Sequence, residues 1–210
     1  MDKENLILIG AGGHARSCID VIESCNLYKI IGLVGTEKEL GSMCFSYPVI
    51  ATDGQLSKVL VNCQSALISV GQIKTPSLRM KLFEEAVRLG FHMPSIAASS
   101  AYISRYAVIG AGTIVMHGAI VNAGVSIGKN SIINSRALIE HDANVGDHVH
   151  ISTGAVLNGG VSIGSGSYIG SGSIIKEGVT IGKNCLVGMG VSVRYSLPDS
   201  EVFLGYKNEA

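Results

Sequence analysis

The 210-residue chain balances 16 Lys and Arg against 16 Asp and Glu, is 47% hydrophobic and 15% charged, and has 27 Gly but no Trp. Zero net charge gives no broad attraction to nucleic acid or an anionic membrane surface, the apolar content excludes disorder, and no apolar run reaches the ~18 residues of a spanning helix. The five cysteines (18, 25, 44, 63 and 185) form no CxxC pair and the opening Met1–Asn5 has no signal-peptide layout, which together point to reduced thiols in the cytoplasm and away from a disulfide scaffold or a zinc site.

Residues 1–97 alternate strand and helix. Leu6–Gly10 is a short buried-strand run, Gly10-Ala11-Gly12-Gly13-His14 a turn, and Ala15–Cys25 a helix with Ile19, Val21 and Ile22 on its apolar side. Lys29–Val34 and Ala66–Val70 read as further strands. Thr75-Pro76 has the look of an N-cap followed by proline at the first helical position. The helix behind it carries Leu78, Leu82, Phe83, Ala86, Val87 and Leu89 and stops at Gly90. This order predicts a small Rossmann-like parallel sheet flanked by helices, an N-terminal α/β domain.

From residue 98 the helical period gives way to a period of six. Stepping by six from Ile103 to Val193 finds an aliphatic residue at all 16 positions, and the residue two before each is small or β-branched. Alternate residues of a strand share a face. Each hexad is therefore one flat side of a coil, with the aliphatic residue inward, the small residue inward near a corner, and Gly or Asn at turns that need positive φ. Three sides close a triangle, so a coil takes 18 residues and the spiral stands about 25 Å tall. Residues 98–210 thus read as a left-handed parallel β-helix of hexapeptide repeats with a short C-terminal tail. Such prisms commonly pack three around an axis, which places sites in the clefts between neighbours. Fold alone does not give function.

Most outward positions carry Gly, Ser, Asn or Ala. The run Glu140-His141-Asp142-Ala143-Asn144-Val145-Gly146-Asp147-His148-Val149-His150 differs: it holds three of the chain's six His and three acidic residues. It could be a metal site, a polar corner without a role, or the seat of a general base, a neutral imidazole held in one tautomer. It has neither a helical HxxxH nor a Cys ligand. His141, two residues past inward Ile139, lies at a corner, with Glu140 or a backbone carbonyl to orient it. His150 precedes inward Ile151 on another side. One subunit need not bring both rings to one point, whereas two neighbours could. His148 is expected to face solvent. Cys185, at an inward small position, is a packing residue.

The run Ile133–Asp142, the following Gly146–Ser152, Gly154, Gly159 and Gly160, the uninterrupted hexads and the N-terminal GxGGH turn resemble the PglD- and NeuD-type sugar acetyltransferases of bacterial glycan pathways. The resemblance spans nearly the whole chain. It implies acetyl-CoA as acyl donor, no metal, and a cytoplasmic homotrimer. It further implies His141 as general base with Glu140 as its supporting carboxylate, His150 as a second active-site histidine lining the coenzyme cleft, Asn134 on the substrate, and Gly159, Gly170 and Gly188 as backbone positions along that cleft. The 1–97 domain would then hold the sugar nucleotide, with Gly10, Gly12, Gly13 and His14 around its phosphates or ribose. NAD binding is not expected: Ala15 replaces the third Gly of GxGxxG, and the second strand ends Leu33-Val34-Gly35 without an acid. The chain departs from its relatives in lacking an Asp pair after the second strand to read the base, and in retaining only Gly205 and Lys207 of their C-terminal Gly-x-Pro-Ala-Lys/Arg element.

These features predict acetyl transfer to the amine of a UDP-4-amino-sugar-type acceptor by direct attack on the thioester. An O-acetyltransferase of sialic-acid-like sugars, suggested by Ile151–Gly159, and a non-catalytic trimeric scaffold are the alternatives.

Overall fold

The computed structural model describes residues 3–205. The first unit is a parallel sheet built from β1 (Glu4–Ile9), β2 (Tyr28–Gly35), β3 (Met43–Cys44), β4 (Tyr47–Thr52) and β5 (Ser65–Ile68), in the order β3-β4-β2-β1-β5, with only β3 antiparallel. β1 is central, and Leu6, Ile7, Leu8 and Ile9 are all fully buried, as an apolar run covered on both faces requires. Helix α1 (Gly13–Cys25) buries Ala15, Cys18, Ile19, Val21 and Ile22 and ends at Asn26 in the left-handed conformation. β4 and the five-residue α2 (Leu56–Leu60) had no clear sequence signal. Pro48 demotes the first as a strand, and the second is too short to show a period.

Helix α3 (Ser77–Leu89) corrects two expectations. It begins one residue later than the Thr75-Pro76 signal implied, with Thr75 Oγ1 accepting from the Ser77 N–H at 3.2 Å. Its buried face is Arg79, Leu82, Phe83 and Ala86, whereas Leu78 and Val87 are exposed. Positions 79, 82, 83 and 86 form an unbroken i, i+3, i+4, i+7 stripe, so the guanidinium was drawn into the core by its place on the helix.

The second unit is the β-helix. Two-residue strands pair in parallel at a constant offset, Ile120 to Leu138 to Val156 and Ile132 to His150 to Tyr168, so each coil is 18 residues. The inward aliphatics from Val115 to Val193 are at most 3% exposed, while Ile103 and Ile109 at the open end are only partly covered. Strand pairing of the spiral starts at Ile96–Ala97, two residues ahead of the change in period.

Its three faces differ outward. The seven-strand face presents Ile114 and Ile132, both fully buried in one cluster with Leu6, Ile19 and Ile22 of the α/β unit. The five-strand face presents Ser126, Asn144, Ser162 and Thr180. The six-strand face presents Tyr102, Ile120, Leu138, Val156 and Ile174 in a column, with Tyr102, Ile120 and Ile174 between 40% and 59% exposed.

Turn geometry repeats as strictly as packing. Every sixth residue from 112 to 190 has positive φ, 14 positions in all; nine are Gly and two are Asn. The remaining three are consecutive corners: Arg136, Asp142 and His148. Left-handed backbone is unfavourable for a residue such as Arg136 by about 1–2 kcal/mol, and less so for Asp142 and His148, whose residue types are enriched there. No helix among the described residues is long and apolar enough to cross a membrane.

Candidate active site

The corner between the six- and five-strand faces carries Glu140 and His141. The His141 ring is exposed and stands above Gly159, one coil on; a Cβ at Gly159 would lie 2.8 Å from its Cε1 and Nε2. His141 Nδ1 is 2.9 Å from Asp142 Oδ2. That hydrogen bond, and secondarily the carboxylate's charge, raises the imidazole above its ordinary pKa. The carboxylate hydrogen-bonded to the ring in this structure is Asp142, not Glu140. Glu140 Oε2 accepts from Asn122 Nδ2 at 3.0 Å and from the His141 backbone N–H at 3.3 Å, so it braces the corner and leaves the ring to its neighbour. Asp142 does this from a positive-φ position.

Further along the same corner, Asn158, Ile174, Lys176, Glu177, Ser192, Val193 and Arg194 line an open groove of about 410 Å³. Two cations, Lys176 lying 3.9 Å from Glu177, beside the exposed side chain of Ile174 match a thin chain that ends in phosphates. Lys176 and Arg194 were not singled out in the sequence. Their signal was the corner column itself, which runs Glu140, Asn158, Lys176, Arg194 at steps of 18.

The corner between the seven- and six-strand faces holds Asn134, Gly170 and Gly188. Gly170 has a packing reason of its own: a Cβ there would overlap the Gly188 carbonyl of the next coil. Asn134 Oδ1 accepts from the Ser135 N–H at 2.8 Å, which turns its amide nitrogen to His150 Nε2 at 3.0 Å. His150 Nδ1 is 2.6 Å from the Gln72 carbonyl of the α/β unit, and the ring is 6.5 Å from that of His14 and 5.2 Å from that of Tyr168. His150 is thus placed with His14 and Asn134, the residues expected on the substrate side, and not with Gly159. Burial lowers its pKa to about 4 and that of His14 to about 3, with the Arg79 charge adding to both. Both rings are neutral hydrogen-bonding groups at neutral pH.

His148 does not face solvent as expected. It is 5% exposed, 2.9 Å from Asn130 Nδ2 and edge-on to Phe83. Its outward corner is roofed by α3, which the hexad pattern alone could not reveal.

Gly10, Gly12, Gly13 and His14 line a cavity of about 220 Å³, with Gly35, Thr36, Glu39, Asp53, Val70, Gly71, Leu78 and Leu82 around it. Gly10 is required by the fold, with φ +119° and Val70 against its missing Cβ. Gly12 and Gly13 are not: a Cβ at either meets nothing within 4 Å. Their bareness faces open space at the uncapped start of α1, where backbone N–H groups favour an anion. The strand end lacks an acid, but Glu39 and Asp53 reach the cavity from elsewhere in the chain. The residues expected to form one site therefore fall into two groups in a single subunit, at two corners separated by the six-strand face. Lys207 lies outside the described residues. No group of metal-binding side chains occurs among those described.

The profile of the PglD N-terminal domain matches residues 5–86, and that of the hexapeptide repeat of succinyl-transferase matches residues 160–194. No curated protein matches the sequence. Among solved structures, a histidine-to-asparagine mutant of perosamine N-acetyltransferase from Caulobacter crescentus, in complex with CoA and GDP-perosamine, is 31% identical over 94% of this chain and 92% of its own, with a TM-score of 0.89. The acetyltransferase domain of PglB from Neisseria gonorrhoeae, in complex with acetyl coenzyme A, is 29% identical over 96% of both chains, with a TM-score of 0.87. WeeI from Acinetobacter baumannii, 22% identical with a TM-score of 0.82 and covering 94% of this chain and 95% of its own, shares the fold.

Proposed function

The chain belongs to the PglD-type sugar acetyltransferases, acyltransferases that draw on acetyl-CoA, and from that premise we propose that it acetylates the amine of a nucleotide-linked amino sugar in the cytoplasm. The observation that carries the reading is the exposed His141–Asp142 pair over Gly159, next in the chain to Asn158 of the groove that bears Lys176 and Arg194. The groove suits the coenzyme: Ile174 for the pantetheine arm, the two cations for its phosphates. Five unpaired cysteines fit a reducing compartment.

The chemistry asked of the protein is modest, because a thioester is already activated. His141 takes a proton from the amine as nitrogen attacks the carbonyl carbon. The C–S bond breaks, and the imidazolium returns a proton to the departing thiolate. Asp142 holds the ring with Nδ1–H toward itself, so Nε2 is the basic atom. No side chain needs to be acylated.

The acceptor's nucleotide is assigned to the cavity beside Gly12 and Gly13, its phosphates at the start of α1 and its base toward Glu39 and Asp53. A homotrimer joins the two groups of residues. The apolar six-strand face separates the two corners, and it is the face that neither the α/β unit nor a polar surface claims. Packing three such faces around an axis sets the His141 corner of one subunit against the Asn134 and His150 corner of the next.

The test is an acceptor panel with acetyl-CoA: UDP- and GDP-linked amino sugars, and free sialic acid as the hydroxyl acceptor. Turnover is expected on a nucleotide amino sugar and to fall at least 100-fold in His141→Ala. Turnover only on sialic acid would transfer the assignment to the hydroxyl. Turnover indifferent to His141 would remove it from the mechanism.

A further inference from the structure

Arg79 is the largest fully buried side chain of the molecule, 1% exposed, and no carboxylate pairs with it among the described residues. A guanidinium in that position is costly unless its donors are used. Those of Nη1 and Nε are spent on backbone: Nη1 donates to the carbonyls of Ile68 at 2.7 Å and Val70 at 2.8 Å, and Nε to that of Asn130 at 3.1 Å, while Nη2 is buried without a hydrogen-bond partner. The first two belong to the segment that leaves β5, and the third to a corner of the β-helix. Arg79 therefore ties that segment to the prism.

The segment touches both the nucleotide cavity and His150. Ser69 Oγ donates to the Gly10 carbonyl at 2.6 Å, and Val70 and Gly71 line the nucleotide cavity. Two residues on, Gln72 Nε2 reaches the carbonyls of Gly166 and Ser167, while the Gln72 carbonyl meets His150 Nδ1. A carbonyl only accepts, so Nδ1 carries the proton. From the other side, the amide nitrogen of Asn134 only donates, so His150 Nε2 must accept. Both partners impose the same tautomer, and one of them is held by Arg79's segment.

We propose that Arg79 is a positioning residue: by fixing the Ile68–Gln72 segment it locks His150 as the Nδ1–H tautomer, whose unprotonated Nε2 in turn holds the Asn134 amide in place beside the acceptor. The inference rests on the acetyl-transfer reading for its consequence in turnover, but not for the tautomer.

The experiment is long-range ¹H–¹⁵N NMR of the histidine rings in the full chain without substrate, with His150 assigned by its loss in His150→Gln. The wild type is expected to show a protonated Nδ1 and an unprotonated Nε2 at His150. In Arg79→Met both tautomers are expected, kcat on the nucleotide sugar falls about 10- to 100-fold, and KM for acetyl-CoA stays within about twofold of wild type. Should that variant not fold, Arg79→Lys carries the test. A single ammonium cannot span three carbonyls, so partial mixing of tautomers and a smaller loss of kcat are expected. A wild-type His150 protonated at Nε2, or a folded variant with His150 still locked, would overturn the proposal whatever the acceptor proves to be.

Discussion

His141 and His150 lie nine residues apart, half a coil, and their surroundings push the same side chain in opposite directions. His141 projects from a corner into solvent, where Asp142 favours its charged form. His150 lies under the α/β unit, where desolvation removes its charge. The first is a group that can exchange a proton with a ligand; the second is a fixed hydrogen-bonding group. The contrast teaches that roles in this spiral are set by what covers each position of the triangle, not by residue type. It also explains why the candidate residues of one subunit fall into two groups.

The most severe way to break that arrangement is to part the subunits of the proposed homotrimer. Ile120→Asp changes one half-exposed residue in the apolar column and touches neither corner. It is expected to yield monomers by light scattering and to cut acetyl transfer by more than about 100-fold, since a buried charge at such an interface costs several kcal/mol. Full activity in a monomer would mean that each subunit is complete alone.

A smaller effect isolates the exposed histidine. Asp142→Asn removes the group that raises the His141 pKa. The acid limb of the kcat/KM profile, expected above pH 6.5 in the wild type, should shift to lower pH, with a several-fold loss in the plateau. Glu140→Gln, which changes a partner of the backbone and not of the ring, should leave the limb in place.

The smallest effect reads the buried pair. The unfolded chain protonates His14 and His150 near pH 6.5, whereas the fold resists until about 3 and about 4. The unfolded state therefore binds more protons as pH falls below 6.5, and stability should decline by up to about 1.4 kcal/mol per pH unit for each ring. Thermal melting at pH 7.5 and 5.5 measures the decline, and His150→Gln should flatten it by about half. His141 has the opposite sign, since a raised pKa adds stability below 6.5 and loses it as pH rises through the folded value. Its pair with Asp142 is solvent-exposed and contributes little.

The prism was legible in the sequence nearly to the residue, because each hexad repeats one local solution: an inward aliphatic, a small partner, a turn. The α/β unit was legible in outline, since Leu6–Ile9 and the α1 face obey simple periods, while Pro48 and the shortness of α2 hid the rest. At the site, His141 was visible as a departure from the pattern, the Gly12-Gly13 turn as a motif, and Gly159 through the family resemblance. Asp142 was in view, but its role depended on a φ of +59° that turns it toward the ring. His148 and Arg79 were misjudged or missed for one reason. Each is governed by contact between the two units, and neither unit's own period encodes the other.

The strict spacing of the left-handed turns also limits how such a chain can change in length. Adding or removing one whole coil preserves the phase of everything after it. A single hexad would keep the core packed yet advance all later residues by a third of a turn, so that Lys176 and Arg194 would leave the side on which His141 stands. Between His141 and the groove the spiral acts as a vernier: loss or gain of one hexad would keep the fold and carry the proposed coenzyme groove to the wrong edge.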